Sequence, residues 1–153
     1  MHEPIMRRWV EALRSGKYEQ THQKLRNATM DLTNPDGPLV PGPRFCCLGV
    51  LCDLFIEDHP GRAEWFIHDT ECLFKLNSPN WTAAACLPDE VRKWAGMFDQ
   101  FGLPVTVEAR SSLENVRLAD GGKLGYCTLA GANDHSLPFP QMADFIETHW
   151  QDL

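Results

Sequence analysis

Apolar residues recur along this chain with changing rhythms, and each rhythm predicts a different element. Ile5, Trp9 and Leu13 fall four apart behind Pro4 and ahead of Gly16, which predicts a helix from about 4 to 15 with one buried face. The stretch EQTHQKLRNA that follows is polar, permissive of helix and poor in apolar anchors, and reads as a second, exposed helix reaching about Asn27. Residues 33–43, TNPDGPLVPGP, hold four prolines and two glycines, a loop composition. From Phe45 to Glu57 the rhythm disappears because apolar residues cover every face, with Asp53 the only charge before the end. Such a helix is buried all round, and Gly49 in its middle implies that another element packs close against it.

Beyond 63 the runs shorten. AEWFIHD, ECLFKLN and NWTAAACL are rich in aromatic and β-favouring residues and are separated by turn residues, which predicts two or three short antiparallel strands up to residue 86. Leu87-Pro88-Asp89-Glu90 begins a helix carrying Val91, Trp94 and Phe98 that ends near Met97. The runs VTVEA, ENVRLA and LGYCTL within 103–127, around Asp120-Gly121-Gly122, predict further strands and a hairpin. TLAGAND predicts a short helical turn. FPQMADFIETHW predicts a closing helix with Met142, Phe145, Ile146 and His149 on one side. The expected fold class is α+β in a single domain over residues 1–153: a central buried helix at 45–57, flanked by the first and last helices, with a small antiparallel sheet from 63–86 and 103–127.

Composition narrows the function. The length suits one domain that buries a core without staples. No apolar stretch approaches the ~20 residues that span a bilayer, and no secretory signal pattern opens the chain, so a cytoplasmic protein without a membrane is expected. A net charge of −7 argues against general nucleic-acid binding. The charge is uneven, however. Residues 1–26 carry six basic side chains (Arg7, Arg8, Arg14, Lys17, Lys24, Arg26) against three acidic ones, so this end can attract a small anion.

The six cysteines raise a separate question, because three of them fall within RFCCLGVLCDLFIE. In a reducing compartment disulfides are not expected. Cys47 and Cys52 lie about 500° apart on a helix and so do not share a face, which speaks against a zinc site. No cofactor motif is present. Papain-type and NlpC-type amidases place their nucleophile at the start of a buried helix, and Pro43-Arg44-Phe45-Cys46-Cys47 resembles that arrangement. Cys46 as nucleophile with His68 or His135 as base is therefore one alternative. The other is that Cys46, Cys47 and Cys52 are small, soft packing residues.

Several blocks together resemble small proteins of tailed bacteriophages and prophages. They are W-x₃-L-x-S-G-K-Y-x-Q at Trp9 to Gln20, FCCLGVLCDL, L-P-x-E-V-x-x-W-A-G, and L-A-x-x-N-D before the closing helix. The pattern departs at His135-Ser136-Leu137-Pro138, where a Gly-containing turn is expected. The resemblance implies a phage origin and a single fold, and not an activity. Small phage accessory proteins act on the host by sequestering a defence signal, by blocking a host protein or by a simple hydrolysis.

The residues add a hint toward the first of these. Gly16-Lys17-Tyr18-x-Gln20 supplies a cation, a ring and an amide within five positions, the groups a nucleotide-like anion needs. The leading expectation is thus a non-enzymatic, counter-defence binder of a small anionic ligand, with Lys17, Tyr18, Gln20, Arg44, Asn133 and Asp134 as binding residues. The competing expectation is a protein-binding inhibitor of a host factor that uses an exposed acidic face of residues 58–120.

Overall fold

The computed structural model describes every residue except 35, 78, 79 and 119, and the backbone alone at Asn80 and Trp81. Residues that are apolar on every side need cover on every side, and the fold is organised around that need. Helix α2 (Cys47–Asp58) buries every residue from Cys47 to Cys52 together with Leu54 and Phe55. Helix α1 (Glu3–Arg14), opened by Pro4, lays Met6, Trp9, Val10 and Leu13 against the core, and Trp9 Nε1 donates to the Cys47 carbonyl at 2.9 Å. Helix α6 (Phe139–His149) runs beside α1 and contributes Met142, Ala143, Phe145 and Ile146. A 3₁₀ turn at Trp150–Asp152 then buries Leu153. The class is α+β with α2 at the centre, as the apolar pattern predicts.

Two three-stranded sheets complete the core. In the first, β1 (Glu19–Gln20), β2 (Arg26–Met30) and β3 (Leu39–Phe45) lie in the order β1-β3-β2, with β1 parallel and β2 antiparallel to β3. In the second, β4 (Ala63–His68), β5 (Glu71–Asn77) and β6 (Asn80–Ala83) form an antiparallel meander, with Phe66 opposite Leu73 and Leu76 opposite Trp81. Cys72, Phe74 and Leu76 alternate inward on β5, so its period-two pattern is a genuine half-buried strand.

Three expectations are corrected. Residues 19–27 form no helix. Leu25 is their one fully buried apolar anchor, and strand pairing with β3 outweighs a weak helical propensity. Residues 39–43 are strand despite Pro41 and Pro43, because β1 pairs only with Arg44 and Phe45. Over the proline-bearing stretch β3 has β2 alone as a sheet neighbour, and a missing N–H breaks no second ladder. Among the described residues, 103–127 add no strands to a sheet. Thr106 caps a helix, α4 (Val107–Glu114), by accepting from Ala109 N, and that helix buries Ala109 and Leu113 one turn apart. The turn at Asp120–Gly122 does exist, closed by a single bridge between Arg117 and Lys123.

The remaining helices follow their signals, except that Phe98, expected on the helix after Leu87, lies beyond its end and is exposed. Helix α3 (Asp89–Ala95) has Asp89 and Glu90 in its first turn and ends on Gly96 at φ +67°. Helix α5 (Leu129–Asp134) is capped by Thr128, whose side chain accepts from Gly131 N. Among the described residues no helix is long and apolar enough to cross a membrane.

Candidate functional site

The start of α2 gathers four of the residues the sequence singles out. Cys46 is the N-cap, and its Sγ accepts from Gly49 N at 3.3 Å. The next free amide, Cys47 N, donates to Asn133 Oδ1 at 3.2 Å, so a side chain from α5 caps α2 from outside. Asn133 is fully buried and all of its hydrogen-bonding capacity is used within the chain. Its Oδ1 also accepts from Gln20 Nε2, and its Nδ2 donates to Thr21 O and, more weakly, to Asp134. Gln20 Nε2 donates again to Leu137 O, and Asp134 accepts from Gln23 N at 2.6 Å. Gln20, Asn133 and Asp134 therefore form a clamp that ties the strap 19–25 to α5.

This geometry leaves Cys46 without the requirements of a nucleophile. The thiol is buried, and desolvation pushes its pKa up to about 12. The amides that would stabilise an oxyanion at the helix start are taken by Asn133 and by the thiol itself. Among the described residues no histidine is hydrogen-bonded to it. His68 stands exposed at the end of β4 beside Asp69, and His135 is stacked on Tyr126 with ring centres 3.8 Å apart. Burial likewise raises the Cys47 and Cys52 thiols, as expected of packing residues. Among the described residues no three His, Cys, Asp or Glu side chains come together to hold a metal ion.

Lys17 and Tyr18 lie elsewhere, at the junction of α1 and α2. Tyr18 is buried edge-on against Phe45. Its hydroxyl donates to Asp53 Oδ2 at 2.9 Å and accepts from Lys17 Nζ at 2.9 Å. Lys17 also reaches Glu57 at 3.0 Å, and its hydrogen bonds to Tyr18 and Glu57 raise its pKa. Asp53, the lone charge within the apolar helix, accepts from Trp65 Nε1 through its other oxygen. Arg44 points from β3 to Glu19 at 3.2 Å. The six expected ligand-binding residues therefore occupy three separate places, and both cations among them already face a carboxylate. The cavity beside Lys17 and Tyr18 (≈ 200 Å³) and the one beside Cys46 and Asp134 (≈ 150 Å³) are smaller than the roughly 300–1,000 Å³ of ordinary small-molecule sites.

Two features escape a reading by motif. One is Arg26, whose guanidinium carbon lies 4.5 Å from the Phe45 ring centre and 5.5 Å from that of Trp65. Nothing local in the sequence distinguishes it from its basic neighbours. The other is a set of exposed apolar side chains. Among the described residues seven large apolar side chains stand exposed, and five of them, Phe98, Phe101, Val105, Val107 and Tyr126, come from residues 98–126. The β-branched run Val105-Thr106-Val107 carries a strand signal, but Thr106 caps α4 and Val107 opens it.

The family model described as "Domain of unknown function (DUF8296)" matches residues 1–150. The chain belongs to that family. No curated protein and no solved structure matches it. The match spans α1, α2 and the Asn133 clamp together.

Proposed function

We propose that this chain is a non-enzymatic binding protein that engages a protein partner through the exposed apolar set of Phe98, Phe101, Val105, Val107 and Tyr126. The observation that carries the reading is the exposure of those five side chains, four of them on backbone that is itself held by hydrogen bonds or helix. Val107 is 75% and Phe98 60% exposed. Phe98 N donates to Leu153 O and Val105 N to Asp152 O at 2.8 Å, while Leu129 N and Ala130 N donate back to Gly102 O and Phe101 O. Asp99 accepts from both Phe101 N and Leu103 N, which fixes the turn between them. Apolar area held out rigidly in water costs about 25 cal/mol per Å² that a partner recovers on covering it.

Charge sets the partner's chemistry. Residues 98–153 carry eight acidic and three basic side chains, a net −5. An apolar contact ringed by lysine and arginine is complementary, whereas a second copy of this chain brings like charge to like. The phage origin implied by the block resemblance makes a host protein the partner and the host cytoplasm the place, with inhibition as the consequence. Sequestration of an anion by Lys17 and Arg44 has less support, since each is matched to a glutamate.

The test compares immobilised wild-type protein with a Phe98→Ser/Val107→Asp variant in host lysate, after equal melting temperatures are established. A partner retained by the wild type, weakened by salt and lost from the variant is the expected result. Identical retention by both, or a variant whose only change is its own oligomeric state, removes the proposal.

A further inference from the structure

Of the six basic residues in positions 1–26, five meet a carboxylate. Arg7 pairs with Glu3, Arg8 with Asp58, Arg14 with Asp144 and Glu147, Lys17 with Glu57, and Lys24 with Glu71. Arg26 is the exception among the described residues. It is half-buried, opens β2 at the point where the register with β3 shifts, and lies between the first sheet and the second. Its Nε donates to Gly42 O at 2.7 Å, and its two Nη groups have no acceptor among the described residues. The nearby carboxylate, Asp53, has one oxygen on Tyr18 and the other on Trp65.

A guanidinium placed this way is expensive as packing. An apolar side chain would cover Phe45 and Trp65 without removing a charge from water, whereas partial burial of a cation with no ion partner carries a desolvation cost. What the guanidinium offers in return is a planar fork of donors, held beside two aromatic rings that stand edge to face and fixed by the bond to Gly42, which matches the spacing of two oxygens on one atom.

We infer that Arg26 is the binding residue for a small oxyanion, a phosphate monoester or a carboxylate, received by its two Nη groups between the β2–β3 and β4–β5 hairpins. The anion is thereby held by the one arginine of the segment that is paired with no carboxylate among the described residues, away from the paired Lys17 and Arg44. The inference is independent of the exposed apolar set, which lies on other elements.

The test follows arginine side-chain Nε and Nη resonances in protein labelled with ¹⁵N-arginine during titration with inorganic phosphate, adenosine 5′-monophosphate and acetate. A saturable shift at Arg26 and at no other arginine is expected with at least one probe. Saturation by the phosphates alone identifies a phosphate ligand, and saturation by acetate as well identifies a general oxyanion site. Arg26→Lys keeps the charge, loses the fork, and should bind roughly tenfold more weakly. Linear shifts spread over all arginines, or equal affinity of Arg26→Lys and wild type for the same probe in isothermal titration calorimetry, overturn the inference. Because the resonances are read on the wild type, a variant that fails to fold leaves the test intact.

Discussion

A Cβ placed on Gly49 would lie 1.8 Å from the carbonyl oxygen of Leu25. That carbonyl accepts from Cys46 N at 3.0 Å, so the strap 19–25 is fastened directly to the start of α2, and only glycine leaves room for it. Gly49→Ala should gain about 1 kcal/mol of helix propensity and lose more than that to overpacking against backbone, typically about 1–3 kcal/mol or beyond. Urea denaturation is expected to show net destabilisation. A more stable Gly49→Ala protein would mean that the strap is not seated there.

Asn133 carries the other fastening. Removing its amide leaves the buried Cys47 N–H and the part-buried Thr21 carbonyl unpaired, and the buried orphan alone costs about 1–3 kcal/mol. Asn133→Ala is therefore expected to be severely destabilising. Gln20→Ala should be milder, because Gln20 is half-buried and water can replace it at Leu137 O. Measured stabilities of the two single variants and the double variant should give a non-zero coupling, whereas strict additivity would contradict the clamp.

The elements that declared themselves locally are those whose burial either repeats with the element's own period or, in α2, covers every face. α1, α2, β5 and α6 show their faces in Trp9 and Leu13, in the continuous run 47–55, in Cys72-Phe74-Leu76, and in Met142-Phe145-Ile146. Residues 19–30 and 107–114 did not, because their state depends on partners distant in sequence. Leu25 is fixed by Gly49, and Arg26 by Phe45 and Trp65. Thr106 turns a β-branched run into a helix through one hydroxyl. The site was legible only in pieces. Gln20, Asn133 and Asp134, three of the residues expected to bind a ligand, meet as a clamp within the chain, while neither Arg26 nor the exposed apolar set has a motif that marks it.

The thiols give a pH dependence with a definite sign. The Cys46 thiol is moved by burial from an ordinary value of 9.0 to about 12. Above pH 9 the unfolded chain therefore holds fewer protons than the folded one, and stability falls as pH rises from 9 toward 12, while below 9 the contribution is fully present. Melting temperature should decline with pH in that window. At neutral pH, iodoacetamide should label Cys46 no faster than the protein unfolds. Rapid labelling of the folded protein would contradict a packing role.

The most direct measurement of the central claim is amide hydrogen exchange on the protein with and without the partner that the Phe98→Ser/Val107→Asp comparison isolates. Slowed exchange is predicted in segment 98–107 and around Tyr126, with the α1–α2 junction at Lys17 and Tyr18 unchanged. Slowed exchange at that junction, with segment 98–107 exchanging as in the free protein, would contradict the assignment of the exposed apolar set as the binding face.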